Sequence, residues 1–221
     1  MAPASSLEHI LAVAGGDRHV ARWIQRELAS SHQEFLDILF QDLLFAVERL
    51  EQNPQLMVDE GEDQTTQRLA DMLAAFGYQA THNTQAGGNV DLTVERVRLS
   101  HRWIAEAKRF GDVGDMREGY LQLSTRYRPA LASDGRLHGG MIGYLRRPNA
   151  AKCMTGWREH LAELIEGCAT QDCSRRGPLG FVSSHAHGDY GVPLEVWHVC
   201  VVLHFDPQDA SGRTAKRYRT T

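Results

Sequence analysis

Two short stretches limit what this chain can fold into more than any other feature. They are Gly88-Asn89-Val90-Asp91-Leu92-Thr93-Val94 and Trp103-Ile104-Ala105-Glu106-Ala107-Lys108. In the first, Val90, Leu92 and Val94 alternate with Asp91, Thr93 and Glu95, the period of a half-buried strand. The second is apolar until it closes in Glu-x-Lys, and strand alternation puts Glu106 and Lys108 on one face and Ala107 on the other. An aspartate inside a strand runs against propensity, so Asp91 needs a reason to be there. A buried strand that ends in two charges is costly unless they pair with each other or with a metal. Two acids and a lysine converging on one point make a site for a hard divalent cation and an activated water. Carboxylate oxygens suit Mg²⁺ or Mn²⁺. The lysine can orient the attacking water or offset charge on a phosphoryl oxygen. Two plainer readings stand beside this one: Asp91 as a turn cap after Gly87-Gly88, and Glu106–Lys108 as a structural ion pair.

The flanking segments supply context. Residues 1–57 read as a helical N-terminal elaboration. An earlier piece from Leu7 to about Arg26 is broken by Gly15-Gly16, and a longer helix carries Phe35, Ile38, Leu39, Leu43, Leu44 and Val47 at helical spacing up to Asn53-Pro54. The next helix opens in Asp59-Glu60-Gly61-Glu62-Asp63, charges that suit a helix N-terminus, and stops at Gly77. Counting back from Phe76 by threes and fours gives Leu73, Leu69, Thr66 and Glu62, so Glu62 points at the sheet while Glu60 and Asp63 do not. Tyr78–His82 reads as a short strand, 83–88 as a turn and 96–100 as a hairpin connection. A helix is expected from about Asp115 to Tyr127, with Tyr120, Leu123 and Tyr127 as its apolar stripe and Pro129 as its end. Gly139–Leu145 is an apolar strand ending in Arg146-Arg147. Together with Arg117, Arg126 and Arg128, these form a candidate phosphate-contacting patch. Met154–Glu166 is helical, Gln171–Gly180 reads as a polar loop, and Phe181–His187 with Val192–Phe205 forms a terminal β-hairpin. The tail over 209–221 is basic and expected to be mobile.

The placing of Asp91, Glu106 and Lys108 across a hairpin resembles the PD-(D/E)XK nuclease superfamily over roughly residues 58–147. The resemblance implies an α/β, restriction-endonuclease-like core: a mixed central sheet of about four strands flanked by helices, here spanning 58–208. It implies metal-dependent phosphodiester hydrolysis, of DNA before RNA. Asp91 and Glu106 would hold Mg²⁺ or Mn²⁺, Glu62 would complete the metal shell, and Lys108 would position the water. Members of the superfamily also bring a polar residue from the following helix to the site, for which Gln122 is the candidate, with His185 as a possible acid or phosphate ligand. The contexts implied are phage defence, restriction or repair.

Composition narrows the rest. A net charge of −4 over 221 residues gives no global basic field, so nucleic-acid contact has to come from a local patch. No P-loop or Rossmann glycine pattern is present, so any ATP-driven step calls for a separate helicase or ATPase that targets or restrains this chain. No apolar run approaches 18 residues and no leader pattern opens the sequence, which leads us to expect a cytoplasmic protein with no membrane partner. Four cysteines, unevenly spaced, read as reduced thiols. The rival readings are a catalytically silent nucleic-acid-binding or assembly subunit, and a zinc-organised module built on Cys168, Cys173, His185 and His187.

Overall fold

The computed structural model describes residues 18–85, 87–96 and 100–209. The chain folds as α/β, with one mixed seven-stranded sheet flanked by helices on both faces. Helices α1 (Arg18–Leu28) and α2 (His32–Glu51) lead through a 3₁₀ turn at Pro54–Met57 into α3 (Glu62–Ala75). Strands β1 (Gln79–Gln85), β2 (Asn89–Arg96) and β3 (His101–Arg109) follow, then α4 (Val113–Leu121) and a π-helical turn over Gln122–Arg126. The chain continues through β4 (Leu137–Leu145), α5 (Ala150–Leu164), β5 (Ala169–Asp172), β6 (Gly180–Ala186) and β7 (Pro193–Val202). Across the sheet the order is β1-β2-β3-β4-β7-β6-β5. The central pairs β3–β4 and β4–β7 are parallel, and the outer pairs are antiparallel.

The element ends follow from local chemistry. Ser31 caps α2 by accepting the Glu34 N–H at 3.2 Å, while the Glu34 carboxylate accepts the N–H groups of Ser30 and Ser31. Helix α3 stops at Gly77, whose φ of +95° suits a residue without a Cβ. All nine residues of β4 are buried, as befits the strand at the centre of the sheet. One of them, Gly140, lies against the Trp103 indole with no room for a Cβ.

Each face of the sheet carries its own core. On one, α2 and α3 bring Leu39, Leu43, Leu69 and Leu73 onto Leu92, Trp103, Ile142 and Val199. On the other, α4 and α5 bring Met116, Tyr120, Trp157 and Leu161 onto Ile104, Met141 and Val196. Burying a Leu- or Ile-sized side chain stabilises by about 1.5–3 kcal/mol, so both layers hold their helices through many such contacts. A polar knot ties α1 to the first layer: buried Asp42 accepts from Arg26 and from the Tyr78 hydroxyl, each at 2.8 Å.

The structure departs from sequence expectation in several places. The sheet has seven strands rather than about four, because the C-terminal hairpin is not an appendage. Its β7 lies parallel to β4 inside the sheet, and β6 and β5 extend from it. Strand β5 falls partly in the segment read as a polar loop; it is four residues long and mostly exposed, so it carries no apolar alternation. Strand β1 runs to Gln85 through the expected turn, with Asn83 at φ +59°. Helix α4 ends at Leu121 instead of Tyr127. The expected Leu7 helix start, most of the 96–100 connection and the basic tail lie outside the described residues. Among the described residues no helix is long and apolar enough to cross a membrane.

Candidate active site

The C-terminal end of β3 is where the two layers meet. Strand pairing between β2 and β3 runs to Leu92↔Ala105, and beyond it the Asp91 carboxylate accepts the Ala107 N–H at 3.0 Å. That bond explains an acid in a strand: its side chain replaces a ladder carbonyl. Alternation turns Glu106 and Lys108 to the α4 side, where Glu106 is fully buried. From the opposite layer, the first turn of α3 delivers Glu62, whose Oε2 accepts the Arg109 N–H at 2.6 Å. Thr66 braces that turn: its hydroxyl donates to Glu62 O at 2.9 Å and accepts from the Tyr144 hydroxyl on β4 at 3.0 Å.

The ammonium of Lys108 is the hub. It stands 2.5 Å from Glu106 Oε1, 3.6 Å from Glu62 Oε1 and 3.7 Å from Asp91 Oδ2. Burial works against its charge, but the three carboxylates outweigh burial and hold the ammonium above the ordinary lysine range. Glu106 Oε1 has no well-directed hydrogen bond and relies on this ion pair. Burial and the repulsion of Asp91 push the Glu106 carboxyl up to about 7, against the pull of Lys108 and Tyr127. Burial raises Glu62 as well, offset in part by Lys108 and the Arg109 N–H.

Tyr127 is the residue that sequence reasoning missed. Its hydroxyl lies 2.8 Å from Glu106 Oε2 and 2.5 Å from Asn89 O. Sequence periodicity places it in an apolar helix stripe, and it is indeed buried. The π turn changes its role: the Tyr127 N–H bonds to Gln122 O, five residues back, and the backbone then turns extended. Ser124 and Thr125 donate their hydroxyls to carbonyls four residues back, at 2.8 and 2.6 Å, competing with regular helical pairing there. A tyrosine after a run of hydroxylated residues was the available signal, and periodicity does not read it.

The other expected residues divide. A cleft of about 500 Å³ opens from Glu62 and Lys108, and Arg146 and Arg147 line it. Arg117 does not; it is paired with Glu118 on α4 at 2.7 Å. Arg126 lies against the β1–β2 turn at Gly88, outside the cleft lining, and Arg128 pairs with Asp189. The expected arginine patch is therefore split. Gln122 stands half-buried at the start of the π turn and contributes its carbonyl to Tyr127. His185 is brought nowhere near the hub. It pairs with Leu194, which pairs with Leu137, a row six residues short of Lys108 and three strands across. That is roughly 20 Å along the strands alone. The candidate zinc ligands are separated too: Cys168 packs with the α4–α5 layer and Cys173 with the α2–α3 layer.

Among the described residues no three His, Cys, Asp or Glu side chains close on a common point as metal ligands do. The donor chemistry of the hub nonetheless fits a hard cation. Every ligand is a carboxylate oxygen, and three carboxylates against one ammonium leave a formal charge of −2 when all are ionised. Comparison with family models, with curated proteins and with solved structures returns no match, so the geometry has to carry the reading.

Proposed function

We propose that this chain is a metal-dependent nuclease of the PD-(D/E)XK type, hydrolysing phosphodiester bonds in DNA before RNA. The observation that supports the reading is the convergence of Glu62, Asp91 and Glu106 on the Lys108 ammonium at the mouth of a cleft. Glu62, Asp91 and Glu106 would hold Mg²⁺ or Mn²⁺, which supplies Lewis-acid stabilisation of phosphoryl oxygen and a more acidic water. Lys108 places a positive charge where negative charge builds on the phosphoryl group, and its ammonium can orient the attacking water. Asp91 and Glu62 are held in place by the N–H groups of Ala107 and Arg109, so both acids are positioned by the same strand that carries Glu106 and Lys108. Tyr127 fixes the orientation of Glu106. Cytoplasmic action in phage defence, restriction or repair, with a separate helicase or ATPase directing it, belongs to the same proposal.

A second reading has one observation in its favour. The 2.5 Å Glu106–Lys108 contact is an ion pair complete in itself, which suits a catalytically silent nucleic-acid-binding or assembly subunit. Plasmid DNA incubated with Mg²⁺, Mn²⁺ or EDTA, beside a Glu106→Gln/Lys108→Ala double variant, separates the two. The nuclease reading expects cutting that needs metal and falls by about 100-fold or more in the variant. Absence of cutting, together with Mn²⁺ titration that shows no binding lost in the variant, would sink it in favour of the silent subunit.

A further inference from the structure

Beyond Lys108, the cleft wall carries three guanidiniums, those of Arg109, Arg146 and Arg147. Arg146 is turned inward. It donates to Met57 O at 2.5 Å and to Glu60 O at 3.0 Å, tying down the turn from which α3 and Glu62 emerge. Arg109 and Arg147 are exposed. The Arg147 guanidinium lies 5.9 Å from the centre of the Phe110 ring, a cation–π contact that steadies it without neutralising it. No carboxylate forms an ion pair with either among the described residues.

The acids of the same wall are already engaged. Glu62 has Lys108 and the Arg109 N–H as partners. Asp115 Oδ2 accepts the N–H groups of Gly111 and Asp112 at 2.9 and 3.1 Å. Arg109 is also near enough to Arg146 that its charge, after burial, pulls the Arg146 guanidinium below its ordinary range. The lining therefore sets four cationic side chains against two carboxylates, with Glu60 and Asp59 acting on Arg146 from beside it, in a chain whose net charge is −4. The lining includes no Asn or Gln, the side chains that pair bidentately with adenine, and its Tyr144 hydroxyl is taken up by Thr66. Exposed guanidiniums pair bidentately with phosphate oxygens, and contacts to phosphate carry no sequence information directly.

We propose that Arg109 and Arg147 grip the sugar–phosphate backbone of a DNA strand on one side of the phosphodiester presented to Lys108, without regard to sequence. This rests on the nuclease reading, yet the two can fail separately. The test uses the full chain in EDTA, where cutting is suppressed, and fluorescence anisotropy with two labelled oligonucleotides of unrelated sequence over a range of salt. The variants are Arg109→Gln/Arg147→Gln and, as a control outside the cleft, Arg117→Gln. Melting curves confirm that each variant folds, which exposed positions permit.

The double variant is expected to bind both sequences about 10-fold or more weakly at low salt, with a salt slope shallower by roughly two. The control is expected to match the wild type. If the double variant binds as tightly and as salt-dependently as wild type, or if the wild type binds neither oligonucleotide, the grip is overturned. Loss confined to one sequence would overturn its sequence independence. If the grip behaves as expected but no metal supports cutting, the grip stands and the nuclease reading falls.

Discussion

Glu106 shows how one side chain can hold opposed demands. Tyr127 has a single hydroxyl proton and two acceptors within reach, Glu106 Oε2 at 2.8 Å and Asn89 O at 2.5 Å. The Tyr127 hydroxyl faces both, so its one proton is divided between the Glu106 carboxylate and the Asn89 carbonyl. Burial and Asp91 push the Glu106 carboxyl up to about 7, and the Tyr127 hydrogen bond pulls against them. Tyr127→Phe removes that arrangement and leaves a buried carboxylate oxygen with no donor. We expect a stability loss of about 1–3 kcal/mol, read from urea denaturation, together with slower metal-dependent cleavage. A variant as stable and as active as wild type would show that Tyr127 only fills space. Asp91, Glu106 and Lys108 were legible in the sequence because strand alternation is strict. Glu62 was legible because helical stepping from Phe76 is almost as strict. Tyr127 was not, since its approach depends on a five-residue turn rather than on any period.

Among the elements, α4 is decisive for the site because of how closely it crosses β3. A Cβ placed on Gly119 would lie 2.8 Å from Lys108 Cγ and 3.1 Å from Glu106 Cγ. Gly119→Ala therefore pushes on the stems of both side chains at once. Overpacking of this kind costs about 1–3 kcal/mol, and the expected signature is cleavage reduced by more than the melting temperature would suggest. Unchanged cleavage in a folded Gly119→Ala protein would mean that α4 yields freely. The same scale explains what the sequence concealed. Strand β5 has no buried face of its own to mark it. The arginines gathered into one patch by their spacing are separated by elements that point them to different sides. His185 is removed from the site by the direction of β6, which runs antiparallel to β7.

At the scale of the whole molecule, several buried histidines set how the protein responds to acid. His32, at the start of α2, is packed 5.3 Å from His101 on β3 and 5.5 Å from His138 on β4, ring centre to ring centre. Burial first, then the charges of His138 and His101, lower it to about 4, with Asp134 opposing. His198 is lowered to about 3 by burial, next to His185; it accepts from Trp157 and shares a hydrogen bond with Ser183. These groups stay neutral in the native state while the unfolded chain takes up protons near 6.5. Their contribution to stability is complete above pH 6.5 and declines as pH falls toward 4, by about 1.4 kcal/mol per pH unit for each fully buried group. Glu106 works in the opposite sense, because its native carboxyl binds a proton first. A His32→Gln variant isolates the histidine share: the stability advantage of wild type is expected to shrink as urea denaturation is repeated from pH 7 down to 5. A pH-independent difference would show that His32 is not held neutral by its surroundings.

The hub at Lys108 also carries a consequence for the order of events during synthesis. Its hydrogen bonds join partners 47, 16 and 21 positions apart, drawn from α3, β2, β3 and the turn after α4. Glu62 arrives from one layer of the fold and Tyr127 from the other, and only the end of β3 is common to both. The cluster therefore needs the whole stretch from Glu62 to Tyr127, and no single element or hairpin within it contains the cluster. A growing chain cannot assemble it until Tyr127 has been made and both α3 and the turn after α4 have docked against the end of β3. Whatever chemistry the hub performs waits on the docking of those two elements, one from each side of the sheet.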